Sequence, residues 1–364
     1  MKTLTNIGLK AVVPILFALL IMMLLANSCS TPSQPSKQFA PAQFYQGKVI
    51  TLFVPHPAGS GTDITARNFA TYLERYIPGN PRIVIDNRAG AGGAIGLHYY
   101  LDDVKADGLS LLTMSSGVTT RWLLHSEGHD YDLRKAVLLM GIPDASVYYI
   151  NSKVGVKSAG DLLKLGRPVK SGHVTLDSSV AIAERLSAEL LGYQVKQIAG
   201  YGDYGSETKM AVIRGEVEMS AVDGLAWLNF VASTEAGDIV PLFQDGTGRD
   251  MASFPALGDI PALAAVYKDI YGKSPEGKTW DSLRALQAIQ ISGAILVNKA
   301  SPPEAIEDLN TGIKEMLAAS DFKEFALKQI GTKETEKAYL SGDRALSAWE
   351  DVLNTPAEVV ALLK

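Results

Sequence analysis

A single cysteine, Cys29, in 364 residues excludes any disulfide within the chain, so apolar burial has to hold the fold together. No Gly-x-Ser-x-Gly elbow is present, because Ala58 stands where its first glycine would be, and the sequence points to no nucleophile. The glycine-rich turn HPAGSGTDITAR lacks the Gly-Lys-Ser/Thr ending of a phosphate-binding loop, which argues against nucleotide hydrolysis. No HExxH pair supports a metal site, although His125, Glu127, His129, Asp130 and Asp132 lie close in sequence. That polar stretch reads as a solvated loop, and neither metal nor cofactor is expected. Positive charge is not in excess: 34 Lys and Arg against 39 acids give a net charge of −5, unlike a nucleic-acid-binding protein.

What is present is an ordinary globular composition, 47% hydrophobic and 20% charged, in a chain long enough for two domains. Residues 1–29 read as an export segment. Lys2 and Lys10 precede an apolar run from Ala11 to Leu25, and small residues lead into Cys29. The run is short for a stable span, which favours cleavage. The pattern is that of a lipoprotein signal, with Cys29 lipidated and the chain anchored at a membrane. An ordinary signal peptide or an uncleaved anchor is the alternative. Residues 30–46, rich in Ser, Pro and Gln, read as a flexible tether.

From Lys48 onward short apolar runs alternate with helical patterns, the signature of βα units. Strands are expected at Val49–Val54, Ile83–Asp86, Ser110–Met114, Val137–Ile142 and Val147–Ile150. Helices are expected at Asp63–Tyr76 and Ala94–Val104. A second series follows, with strands at Val174–Leu176, Val195–Ile198 and Glu216–Val222. Its helices are placed at Ala159–Leu165, Val180–Leu191, Glu207–Ile213 and Leu225–Ser233. Ile239–Phe243 reads as a strand returning to the first series, and the C-terminal third as helices around Ala294–Val297. The fold class is therefore α/β, with two lobes of mainly parallel sheet. Lobe one takes residues 47–145 and 238–364, lobe two residues 146–237.

Two glycine-rich turns lie directly after strands: HPAGSGTDITAR after LFV, and NRAGAGGAIG after IVID. Ligands of open α/β sheets bind at the carboxyl ends of strands. Glycine lets the backbone come close to a ligand, and helix-start amides carry partial positive charge suited to carboxylate or phosphate. In the second turn Ile95 occupies the third glycine position of a dinucleotide fingerprint, with Gly96 one place late. Either both segments are only tight turns, or together they form an anion cradle.

These turns resemble those of the substrate-binding components of tripartite tricarboxylate transporters, the Bug-type receptors. That family's first turn reads close to F-P-A-G-G-x-x-D, then x-x-A-R, and its second close to N-R-x-G-A-G-G-x-x-G. Here they are Pro57 to Asp63 with Ala66-Arg67, and Asn87 to Gly96. Further matches are Ala106-Asp107-Gly108, Tyr131-Asp132, Arg214 to Glu218 and Ser301 to Glu304, so the resemblance spans about residues 47–353.

The resemblance implies a two-lobed flytrap that captures a small organic carboxylate, with no catalysis, and passes it to membrane permease subunits. It places the first-lobe site at Ala58, Gly59, Ser60, Thr62 and Asp63, with Gly90, Ala91, Gly92 and Ala94 on the second turn. Asp63 is expected to order its loop, with Arg67 as partner, or to act only as a cap. His56 replaces the family's usual aromatic residue; it either meets the ligand or sits in solvent. In the second lobe Arg185-Leu186 stands where the family often has His-Leu, behind the bulkier Ile182, Ala183 and Glu184. Ser115, Ser178, Ser179, Arg185, Gly202 and Asp223 are the remaining candidate lining residues. A monomer is expected. Other readings are a ligand sensor or adaptor on the same fold, or a transferase using a phosphorylated substrate.

Overall fold

The computed structural model describes residues 43–202, 206–224, 227–228, 237–247, 251 and 254–363. The expected export segment, Cys29 and the tether up to residue 42 lie outside the described residues, as does most of the expected helix Leu225–Ser233. The tether ends earlier than residue 46. Tyr45 is fully buried with its hydroxyl donating to Gly108 O at 2.7 Å, and the Phe44 amide donates to Asp308.

The first series runs β1 (Val49–Val54), α1 (Gly61–Tyr76), β2 (Arg82–Asn87), α2 (Ala94–His98), β3 (Ser110–Met114), α3 (Ser116–Leu123) and β4 (Ala136–Pro143). The second runs β5 (Ser146–Asn151), β6 (Val169–His173), α4 (Ser179–Leu191), β7 (Val195–Ala199), α5 (Glu207–Arg214), β8 (Met219–Asp223) and β9 (Ile239–Gln244). Then follow α6 (Leu263–Tyr271), α7 (Lys278–Ala288), β10 (Ile291–Asn298), α8 (Pro303–Ala318), α9 (Ser320–Ile330), β11 (Leu340–Ser341) and α10 (Gly342–Leu353).

Two sheets result, ordered β11-β4-β10-β3-β1-β2 and β7-β6-β8-β5-β9. Both are mixed. β1 pairs in parallel with β2 and β3, so their carboxyl ends share one edge, whereas β10 runs antiparallel between β3 and β4. β10 is buried along almost its whole length, as a central strand covered on both faces has to be. α1 buries Ala66, Phe69, Ala70 and Leu73, spaced by three and four residues, against this sheet. Its flanking Tyr72 meets Phe322 and Phe325 of α9.

Three expectations are corrected. The strand placed at Val174–Leu176 is β6, five residues earlier in its start, because buried Ser171 and His173 find polar partners inside the lobe. Ile239–Phe243 does form a strand but does not return to the first sheet: β9 pairs with β5 in the second. The region after it also covers the second lobe. Tyr271 of α6 donates to Leu191 O at 2.8 Å, and Thr279 of α7 to Glu189 at 2.6 Å. The chain thus regains the first sheet at β10, not at residue 238.

The passages between sheets, Pro143 to Ser146 and Ile289 to Ile291, run side by side. The Asp144 amide donates to Gln290 O at 3.2 Å, and the Ser292 hydroxyl to the Asp144 carboxyl. The Ser146 amide donates to the Asp245 carboxyl at 2.6 Å. Burial raises both carboxyls, Asp144 further because Asp223 is near, and Asp245 to about 7.

Candidate functional site

The first turn is set by Asp63, which is 1% exposed. Its carboxylate accepts from the Gly59 amide at 2.8 Å, Arg67 Nε at 2.9 Å and Asn87 Nδ2 at 2.9 Å. Asn87 Nδ2 also donates to His56 O at 3.1 Å, tying the turn after β1 to the end of β2. Burial alone would raise the Asp63 carboxyl, but the bonds from Arg67, Gly59 and Asn87 outweigh it and hold it below the usual range. The Ser60 hydroxyl caps α1 by accepting from the Asp63 amide at 3.4 Å. Helix starts leave amides without intrahelical partners. Those of Gly61 and Thr62 meet no acceptor among the described residues.

The second turn needs its glycines. Gly90, Ala91, Gly92 and Gly93 all have positive φ, at 136°, 47°, 62° and 101°. Gly96 serves packing: a Cβ there would lie 2.5 Å from Arg88 O and 2.8 Å from Pro55 Cβ, so α2 sits directly against the first turn. The regular helix N-terminus expected here is instead a short tight helix, Ala91–Gly93, before α2. The Gly93 and Ala94 amides are occupied by Gly90 O and Ala91 O, leaving those of Ala91 and Gly92 without an acceptor.

Two more helix starts converge on the same place. α3 begins at Ser116 after Ser115, and α4, from the second lobe, begins at Ser179 with the Ser178 hydroxyl accepting from the Ala181 amide at 3.3 Å. Together with the two turns they enclose a cavity of about 500 Å³. A more open hollow of about 820 Å³ along α8 carries no comparable convergence and lies on another surface, lined by Lys299, Glu307 and Lys314.

Of the residues expected at the site, His56, Ser60, Thr62, Gly90, Ala91, Gly92 and Ser115 line the cavity from the first lobe. Ser178, Ser179, Gly202 and Asp223 line it from the second. Ala58, Gly59, Asp63 and Ala94 do not; Gly59 and Asp63 are engaged in the loop network, and Ala94 is buried. Arg185 is exposed on α4, its guanidinium reaching Leu363 O at 3.4 Å. The side chain that turns inward is its neighbour Glu184, fully buried against His173 at 2.6 Å.

Sequence reasoning missed Arg121 and Tyr201 in the lining. Arg121, on α3, is only 5% exposed. It donates from Nε to His129 Nε2 at 2.9 Å and from Nη2 to Gly92 O. His129, placed by the sequence in a solvated loop, is 5% exposed instead. Because its Nε2 accepts, its Nδ1 carries the proton towards Glu127 O at 3.0 Å, and the ring is neutral. Burial, and to a lesser extent Arg121, lower its pKa.

His56 Nε2 stands 3.2 Å from Ser115 Oγ. Burial first, then the nearby Arg121 charge, lower the His56 pKa to about 4. His56 is therefore neutral at pH 7, and a bound anion would restore part of its basicity. NMR titration of the free protein is expected to show an imidazole midpoint well below 6.5, near 4, moving upward on anion binding. A midpoint at or above 6.5 in the free protein would refute the buried, cation-facing placement.

Two mixed sheets flanked by helices, with a cavity lined from both, define the periplasmic-binding-protein-like class of fold. No protein-family model matches the chain. It is 25% identical over 296 residues to a UPF0065 protein in the tcbD-tcbE intergenic region of Pseudomonas sp. strain P51, covering 79% of each chain. To protein BugT of Bordetella pertussis it is 24% identical over 326 residues, covering 86% of this chain and 90% of BugT. An R. palustris protein solved with adipate shares the fold with a TM-score of 0.62 at 21% identity, over 86% of this chain and 97% of that one. Within that class, the sequence relatives and the two glycine turns make the chain similar to the Bug-type solute-binding proteins.

Proposed function

We propose that this protein is an extracytoplasmic receptor that captures a small organic carboxylate for a tripartite tricarboxylate-type transporter. One observation carries the reading: unpaired amides at helix starts and glycine turns of the first lobe meet around one cavity that is closed by the start of α4 from the second and also contains a buried arginine. A carboxylate supplies the acceptors those groups lack. The adipate in the R. palustris structure is a dicarboxylate and supports that ligand class. Export and lipid anchoring through Cys29 belong to the same reading, as does handover to permease subunits.

The role is capture, not catalysis. Among the described residues, the serine–histidine contact in the cavity is Ser115 with His56, a base whose pKa of about 4 activates a hydroxyl poorly at neutral pH.

Isothermal titration tests the reading with dicarboxylates, tricarboxylates, aromatic acids, amino acids and their neutral amides. At least one carboxylate is expected to bind with a Kd of about 1 μM or tighter, near −8 kcal/mol. Binding confined to neutral or cationic solutes would sink it.

A further inference from the structure

We propose that Arg121 directly grips one carboxylate of the ligand and thereby sets the cavity's requirement for an anion. The inference rests on the receptor reading above and sharpens it, since amides and water alone would tolerate a neutral carbonyl.

Arg121 is a buried cation without a counter-charge. No carboxylate pairs with it among the described residues, and its two bonds go to neutral acceptors, His129 Nε2 and Gly92 O. Nη1 has no acceptor there at all. The nearest acidic influence is Asp177 in the second lobe, whose carboxyl is itself bonded to Ser126 and Thr175. His56 and His129, the other titratable groups beside it, are neutral. A largely buried guanidinium without a paired anion is costly, and an anion that pairs with it recovers that cost.

The surroundings fix the group for a ligand. His129 and Gly92 hold one edge of the guanidinium, so its plane does not turn away from the cavity. Gly92 permits this approach: a Cβ there would stand 3.1 Å from both Cζ and Nη2. Nη1 lies beside the start of α3, where a Cβ on Gly117 would be 3.6 Å away. The Ser116 and Gly117 amides there find no acceptor among the described residues. A planar carboxylate placed at that corner receives N–H donors from the guanidinium and from the helix start together. A neutral carbonyl gains only a single hydrogen bond from the guanidinium, and a cationic solute is repelled by it.

The test compares wild type with Arg121→Gln and Arg121→Lys. Titration calorimetry reads the carboxylate panel and the matching amides, and the Arg121 Nε–H resonance is followed with acetate in large excess. Circular dichroism and thermal melting check that each variant folds. Wild type should bind a carboxylate and discriminate against its amide, and acetate should shift the Nε–H signal. Arg121→Gln should lose about 100-fold in carboxylate affinity, with little change for the amide, so the discrimination collapses. Arg121→Lys should recover part of it. If folded Arg121→Gln binds the same carboxylate within threefold, with discrimination intact, the inference falls while the receptor reading stands. If wild type binds no carboxylate and acetate leaves the signal unmoved, both fall.

Discussion

Asp63→Ala is expected to lower stability by about 2 kcal/mol, the scale for losing the hydrogen bonds to one buried, charged carboxylate, and to weaken ligand binding at least tenfold. The Gly59 amide and Asn87 Nδ2 lose their acceptor inside the loop, whereas Arg67, half exposed, turns to water and contributes less. The binding loss follows from position. The carboxylate joins the first turn to Asn87, which begins the second, so its removal loosens both at once. Because the folded-state pKa is depressed, Asp63 contributes stability above the ordinary carboxyl range and loses it as pH falls through the lowered value. Urea unfolding from pH 7 down to pH 3, in parallel with ligand titration, checks both parts. Unchanged acid sensitivity in the variant would refute the assignment.

Glu184→Ala is the larger loss, about 3–5 kcal/mol and about 10 °C in Tm, the range for leaving the fully buried partners of a carboxylate unpaired. Glu184 meets His173 Nε2 at 2.6 Å, Ser171 Oγ at 2.6 Å and Gln197 Nε2 at 3.0 Å, from β6 and β7, so α4 is pinned to two strands. Burial opposes its ionisation, yet His173 and these bonds hold its carboxyl below the usual range. Replacing both Glu184 and His173 by leucine should recover part of the loss, because carboxylate and imidazole leave together, Gln197 keeps Ala181 O, and the Ser171 hydroxyl is the group left stranded. A double variant as unstable as Glu184→Ala would show that packing, not charge, matters here. Thermal melting of the single and double variants decides it.

These residues show how far the sequence could be read. β1, α1, β2 and the glycine turns were legible because local signals agree there: apolar strands, a helical stripe, and glycines where φ is positive. β6 was not, since Ser171 and His173 break an apolar pattern and make sense only with Glu184, which is distant in sequence. β9 was found as a strand but assigned to the wrong lobe, because sheet membership depends on long-range pairing. On α4 the expected Arg185 is exposed while Glu184 enters the lobe interior, and neither lines the cavity, since one step along a helix turns the side chain by about 100°. Arg121 left no local signal, as a lone arginine among threonines reads as a surface residue until burial is known.

One consequence follows from the helix starts on opposite walls of the cavity. α1 and α3 on one side and α4 on the other point like partial charges at each other. With only water between them, those ends repel and the walls are pushed apart. An anion reverses the sign of the force, drawing both walls onto itself. On the proposed function, the captured anion is then the clasp that holds the two walls together.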